Sequence, residues 1–301
     1  MPEKQGNLFA DLPPPGGKPL LFKTQARPLW TENKAKLIER YLFYFVLITK
    51  HGAYIDGFAG PQDPENPSSW ACKLVLESKP QLLREFWLCE LSGDGHAALK
   101  RLIADTARPK NRKVHLLRGD FNGKVRQILR KCNISAKTAA FCLLDQRTFE
   151  CEWKTVKILA QFKSGGHKIE LFYFLASGWL DRSLAGTTKN TAQLDKWWGN
   201  SNWKELQGMN GHSRAELVAR RFRDELGYTH CYAWPIYDRG SEGRVMYHMI
   251  HATDHDEAPK LMNRAYFNAT KAREPLEKLQ MDLAALWNET PTPNKDNRGK
   301  K

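Results

Sequence analysis

Hydrophobic positions along this chain switch between two periods. Between Thr31 and Lys50, the residues Leu37, Tyr41, Phe45 and Ile48 recur at helical spacing, with Ile38 and Leu42 beside them. That pattern predicts a helix capped by Thr31 and ended by His51-Gly52. Five short apolar runs then read as strands: Ala53 to Asp56, Glu85 to Glu90, Lys113 to Leu117, Ala139 to Asp145 and Ile169 to Leu175. Helical stretches over about 70–78, 94–107, 122–131 and 152–163 separate them. Alternation of this kind predicts a parallel sheet covered by helices on both faces.

The region 178–227 breaks the alternation. It reads as helical, carries Trp179, Trp197, Trp198 and Trp203, and holds a candidate capping box at Ser213 and Glu216. Two further strands, Cys231 to Tyr237 and Val245 to His251, are joined by a polar turn over 238–243 and suit an antiparallel hairpin. A helix from about Glu257 follows. The expected fold class is α/β: a doubly wound, mostly parallel seven-stranded sheet of the class I S-adenosylmethionine-dependent methyltransferase type, with a helical insertion before the last hairpin. The expected organisation is a flexible N-terminal segment over 1–28, a core over 29–177, the insertion over 178–227 as a candidate recognition element, the rest of the core over 228–289, and a basic disordered tail over 290–301. Pro13-Pro14-Pro15-Gly16-Gly17 and the Thr-Pro-Thr-Pro stretch from Thr290 account for the two flanking assignments.

Composition narrows the class. With 301 residues, 41% hydrophobic and 27% charged, the chain can bury its own core. Its longest strongly apolar stretch, Tyr41 to Ile48, is too short to cross a bilayer. None of the six cysteines forms a CxxC pair, so neither a disulfide framework nor a zinc site is expected. Free thiols suit the cytoplasm. The net charge of +14 sets up a field that attracts polyanions, which makes DNA or RNA the expected partner.

The candidate chemistry sits at strand ends. Tyr54-Ile55-Asp56-Gly57-Phe58-Ala59-Gly60-Pro61 lies where the first strand turns into a loop, the place where open α/β sheets bind ligands. Its G-x-x-G spacing is neither the dinucleotide fingerprint nor a phosphate loop, and suits an uncharged nucleoside end with a sulfonium. Asp56 is the candidate partner of that positive group, with Gly57, Phe58 and Gly60 allowing close approach. Glu90, ending the second strand, is placed to accept ribose hydroxyls. Asp120, after the third, is placed to accept from an adenine amino group while Phe121 packs on the ring. The expected cofactor is S-adenosylmethionine.

The fourth strand ends in Asp145-Gln146-Arg147-Thr148-Phe149, where amino-group methyltransferases carry Asp-Pro-Pro-Tyr or a relative. Asp145 is the candidate acceptor and Phe149 the candidate stacking ring, although Gln146 and Arg147 replace the prolines and Phe149 lies one position late. Arg147 is a candidate for holding a phosphate or carboxylate. Cys151 lacks any sign of activation. Trp179 borders the same strand-end face. Trp197 and Trp198 suit base stacking, a packing seam or a partner surface, and Arg221 suits phosphate contact or a solvated face. His248, His251 and His255 suggest a metal, but a regular strand puts His248 and His251 on opposite faces.

On these residues the chain resembles the three-Cys-motif partner proteins of bacteria and phages. The resemblance covers roughly 29–270. It rests on Trp30-Thr31 with Lys34 and Lys36, on the Tyr54 to Pro61 string, on Leu144 to Cys151, on Gly166 to Leu175, and on His251 through Leu261-Met262. It implies a methyltransferase-like core and a partner that is a radical-S-adenosylmethionine-like protein bearing three cysteines. Gln62 stands where many relatives have glycine. Two functions follow as expectations: methyl transfer to a base in nucleic acid, or a non-catalytic scaffold for that partner which also binds nucleic acid.

Overall fold

The computed structural model describes residues 34–186, 191–237 and 245–270. The expected Thr31 cap, the flanking segments 1–28 and 290–301 and the hairpin turn 238–243 lie outside the described residues.

The strands form where the sequence places apolar runs: β1 (Gly52–Asp56), β2 (Leu83–Glu90), β3 (Lys113–Arg118), β4 (Ala140–Leu144), β5 (Glu170–Leu175), β6 (His230–Tyr237) and β7 (Val245–Thr253). They make one seven-stranded sheet in the order β3-β2-β1-β4-β5-β7-β6. The pairings among β1 to β5 are parallel, whereas β7 runs antiparallel to both β5 and β6. β1 has β2 on one side and β4 on the other, so the strand order reverses there. Such a reversal opens a crevice outside the carboxyl ends of the strands.

Alternation along the strands assigns each residue a face. Ala53 and Ile55 of β1, Cys142 and Leu144 of β4, and Leu171 and Tyr173 of β5 join one large core cluster. Helices α4 (Phe121–Lys131) and α5 (Trp153–Ala160) cover this face. The opposite-facing Tyr54, Phe141 and Phe172 pack as an aromatic layer under Tyr41 of α1 (Lys34–Thr49), with ring centroids of Tyr41 and Phe172 4.8 Å apart. α1 buries residues around most of its circumference because α2 (Ala71–Glu77) and α9 (Ala258–Thr270) pack against it as well as the sheet. α3 (Gly93–Asp105) packs against β2 and β3. Buried Glu170 ties β5 to its neighbours, accepting from Tyr41 and Thr253 and pairing with His251.

Region 178–227 is helical as expected: α6 (Ser177–Gly186), α7 (Ala192–Trp198), a short 3-10 helix (Ser201–Leu206) and α8 (Gly211–Asp224). Its apolar side chains belong to the same core cluster as β1 and β4. The capping-box expectation is corrected. α8 starts earlier, at Gly211, and its cap is Asn210, whose side chain accepts from the Ser213 N–H at 2.8 Å.

Three nucleic-acid assignments are corrected here. Trp197 and Trp198 are each 2% exposed, and Trp197 Nε1 donates to Tyr173 Oη. Both rings extend from the end of α7 into the core cluster shared with α5, leaving no face for a base. The Arg221 guanidinium lies over the rings of Trp153 and Trp198, at 4.1 and 3.9 Å, and donates to Trp198 O and Glu225. A cation held this way staples α8 to the core and cannot reach a phosphate.

Candidate functional site: a cleft at the carboxyl ends of the strands

Four loops following β1, β2, β3 and β4 enclose a cleft of about 650 Å³. That volume falls within the range of small-molecule sites, roughly 300–1,000 Å³. Backbone hydrogen bonds hold the loops together: Gly57 N–H donates to Leu143 O, Ala59 N–H to Cys89 O and Gly119 N–H to Glu90 O, all within 2.9–3.0 Å. The site is thus fixed by adjacent strand ends, not by mobile side chains.

Glu90 is its centre. Gly60 N–H donates to Oε2 at 2.8 Å and Ser92 N–H to Oε1 at 2.7 Å. A Cβ on Gly60 would come within 2.3 Å of Glu90 Oε2, and one on Gly95 within 2.9 Å of its carboxyl carbon. Two glycines therefore clasp one carboxylate. Each oxygen keeps a further lone pair for a ligand.

Gly57, Phe58, Gly60, Glu90, Asp120, Phe121, Asp145 and Arg147, all singled out from sequence, line this cleft. Asp120 caps α4 through the Asn122 N–H at 3.0 Å and stays exposed at the cleft wall. Phe121, 2% exposed, lies beneath Gly57, whose added Cβ would be 2.8 Å from the ring. The exposed apolar wall is instead Leu91, 68% exposed and next to Glu90. Sequence reasoning missed it, because a lone leucine just past a strand end carries no periodic signal of its own.

Asp56 is a correction. It is 1% exposed and absent from the cleft lining. Its carboxyl accepts from Tyr54 Oη at 2.8 Å and from Phe58 N–H at 3.1 Å, so it shapes the turn from below. Burial, reinforced by the nearby carboxylates of Asp145 and Glu90, pushes it up to about 7. A half-protonated, enclosed group is a poor partner for a fixed cation. It predicts a pH effect instead. A carboxyl with a native value near 7 and an unfolded value near 4 holds its proton longer in the native state. Its contribution to stability is complete below about pH 4 and is lost as pH rises through about 7. Asp56→Asn should flatten the fall in denaturant midpoint between pH 5 and 8. An unchanged slope in the variant would mean that other groups set it.

The β4 end departs furthest from expectation. Asp145 is 7% exposed and forms a buried ion pair with Lys34 of α1, Nζ to Oδ1 2.8 Å. Lys34 Nζ also donates to Gln62 Oε1 at 3.2 Å and lies over the Phe174 and Tyr247 rings. Gln62 thus shares in fixing this pair. Gln146 turns inward, donating to Phe174 O and accepting from Cys151 N–H. Arg147 is exposed on the cleft wall. Phe149, expected as a stacking ring, is corrected to a core residue: 7% exposed, absent from the lining, its ring 4.9 Å from Trp197. The extra residue before it turns the ring under the loop. Cys151 is fully buried, and its thiol is pushed far up by burial. Trp179 lies outside the cleft lining at the start of α6, 48% exposed, with Arg182 stacked on its ring at 4.3 Å.

The cleft's charge is opposite to that of the chain. Glu90, Asp94, Asp120, Asp145 and Glu150 line it against Arg101 and Arg147. Lys34 neutralises Asp145 from behind, which leaves four carboxylates facing two guanidiniums. Such a site favours a ligand with net positive charge and disfavours a pyrophosphate. Among the described residues no His, Cys, Asp and Glu cluster could hold a metal ion, and no helix is long and apolar enough to cross a membrane.

No family model and no curated protein matches the sequence. Among solved structures, the chain is similar to protein LPL1258 from Legionella pneumophila, of the family model DUF519. The TM-score is 0.42 at 13% identity, over 81% of this chain and 95% of that one.

Proposed function

We propose that this chain is a class I methyltransferase-type protein that binds S-adenosylmethionine in the cleft and methylates a base in nucleic acid. The observation that carries the reading is the Glu90 carboxylate, clasped by Gly60 and Gly95 yet lining an open cleft beside Leu91 and Asp120.

The residues fit the cofactor. The free lone pairs of Glu90 would accept its ribose hydroxyls, Asp120 its adenine amino group, and Leu91 would cover the ring. The excess of carboxylates suits a ligand with two positive groups and one negative. Bound there, S-adenosylmethionine would supply an electrophilic methyl group. Asp145, steadied by Lys34, would accept a hydrogen bond from the incoming amine and so aim its lone pair, a positional effect. The strand order β3-β2-β1-β4-β5-β7-β6 with one reversed strand supports the same reading.

A second reading has its own support. Phe149 is buried and Gln146 faces inward, so the β4 loop lacks the stacking ring that amine methylation uses. That favours a non-catalytic scaffold for a radical-S-adenosylmethionine-like three-Cys protein that also binds nucleic acid, as the family resemblance implies.

Two measurements decide. Calorimetric titration with S-adenosylmethionine should give 1:1 binding. Tritiated methyl transfer onto total DNA and RNA should appear with wild type and fall at least tenfold with Asp145→Asn. Binding without transfer selects the scaffold reading. No binding removes the methyltransferase reading and leaves the scaffold.

A further inference from the structure

Positive charge in this chain is concentrated. Residues 100–131 hold eleven lysines and arginines against two aspartates, a net +9 in a chain whose total is +14. This segment includes the edge strand β3, all of α4 and the last six residues of α3, whose first turn carries Asp94. α4 belongs to the core cluster on one face of the sheet. On the other, α3 packs against β2 and β3, with Arg118 Nη2 3.2 Å from where a Gly93 Cβ would sit. The charge therefore gathers along one edge of the molecule.

Of the eleven, only Arg112 is buried, with its guanidinium donating to Leu83 O and Leu76 O. The rest reach the surface. Lys100 and Arg101 do so from α3, Lys113 and Arg118 from β3, and Arg126 and Arg130 from α4. Among the described residues none of these six is in an ion pair. Unpaired cations repel one another at a cost to the folded state. A charged edge also keeps strands of other copies from pairing, but one or two lysines achieve that.

We infer that the α3–β3–α4 edge is the docking face for the phosphodiester backbone of a nucleic acid. This deepens the function proposed above and rests on it for the route into the cleft. Lys113 and Arg118 lie five residues apart on β3, so alternation points Lys113 to the α4 side of the sheet and Arg118 to the α3 side, and cations flank the edge on both faces. The track leads to the site: Arg101 lines the cleft, and Gly119 and Asp120, directly after Arg118, form its wall. The basic edge and the acidic cleft divide the work. The polyanionic backbone stays outside on the edge, and only an uncharged base, taken out of its stack, enters.

The test is fluorescence anisotropy of the full chain with a labelled 20-nucleotide single strand and the matching duplex, across a salt series. The variant is Lys100→Glu/Lys113→Glu/Arg118→Glu. The control, Lys154→Glu/Arg220→Glu/Arg223→Glu, makes the same charge change on α5 and α8. Oligonucleotide affinity of the edge variant should fall at least 30-fold while the control changes less than 3-fold. The slope of log affinity against log salt should drop by about 2–3. If the edge variant does not fold, Lys113→Gln/Arg118→Gln serves, with an expected loss of at least 5-fold. Equal losses in both triple variants, or none in the edge variant, overturn the proposal. So does competition by polyglutamate as strong as by unlabelled oligonucleotide, which would assign the edge to an acidic polypeptide. S-adenosylmethionine titration of the same variants separates the two readings. Retained cofactor binding with lost oligonucleotide binding supports both. Oligonucleotide binding through the edge without cofactor binding keeps the docking face and sinks the cofactor site.

Discussion

Gly60→Ala is expected to weaken S-adenosylmethionine binding by about 100-fold with little change in overall fold. The added Cβ would lie 2.3 Å from Glu90 Oε2, far inside contact distance, so the carboxylate must move. Moving it breaks the 2.8 Å bond from Gly60 N–H, a bond to a charged group that is worth about 1.5–3 kcal/mol. It also withdraws the acceptor for the ribose hydroxyls. A loss near 2.7 kcal/mol corresponds to about two decades in affinity. Gly123→Ala is the matched control, since nothing lies within 4 Å of a Cβ there. It should bind as wild type and gain a few tenths of a kcal/mol from helix propensity. Calorimetry reads the affinities and circular dichroism the fold. Wild-type affinity in Gly60→Ala would place the ligand somewhere other than against Glu90.

Lys34→Ala should produce the largest loss of stability, about 3–5 kcal/mol, because it strips the buried Asp145 carboxylate of the ammonium paired with it at 2.8 Å. Side-chain exposures of 8% and 9% put this pair well inside the regime where solvent does not screen it. For a chain of this size the melting temperature should fall by about 10 °C. Lys34→Leu/Asp145→Leu should recover most of that loss, since apolar replacement of both partners removes the uncompensated charge. Thermal denaturation of the single and double variants checks both statements. A single variant within about 1 kcal/mol of wild type would mean that Asp145 finds another partner, or that the pair opens in solution. The pair also bears on function. The carboxylate proposed to receive the amine already shares its charge with Lys34, so freeing it should alter any transfer activity more than it alters cofactor affinity.

Element order and type were legible in the chain. Strand-length apolar runs set between helical periods place β1 to β7 and the helices around them to within a few residues, because both periods are local properties of the backbone. Strand-end chemistry was legible wherever it depends on backbone position alone. Gly57, Gly60, Glu90 and Asp120 reach the cleft because a parallel sheet with a reversal at β1 brings those strand ends together. The excess of cations was also countable from the sequence, but not the edge on which it collects.

What only the tertiary structure decided is the direction in which side chains point and what fills the space around them. Asp56 looks like its neighbours in sequence, yet it turns under the loop because Tyr54, two residues back on the same strand face, offers a hydroxyl there. Trp197 and Trp198 read equally as a stacking surface, a partner surface or a packing seam, and Arg221 as a phosphate contact or a solvated face; all three form a core seam, since α5 and α8 close over them. Phe149 is drawn into that seam by Trp197. The Lys34–Asp145 pair spans 111 positions, a separation at which no local pattern carries information. Periodicity constrains a residue relative to its own element; burial and pairing depend on which other element arrives, and that is settled only when the sheet closes and the helices pack.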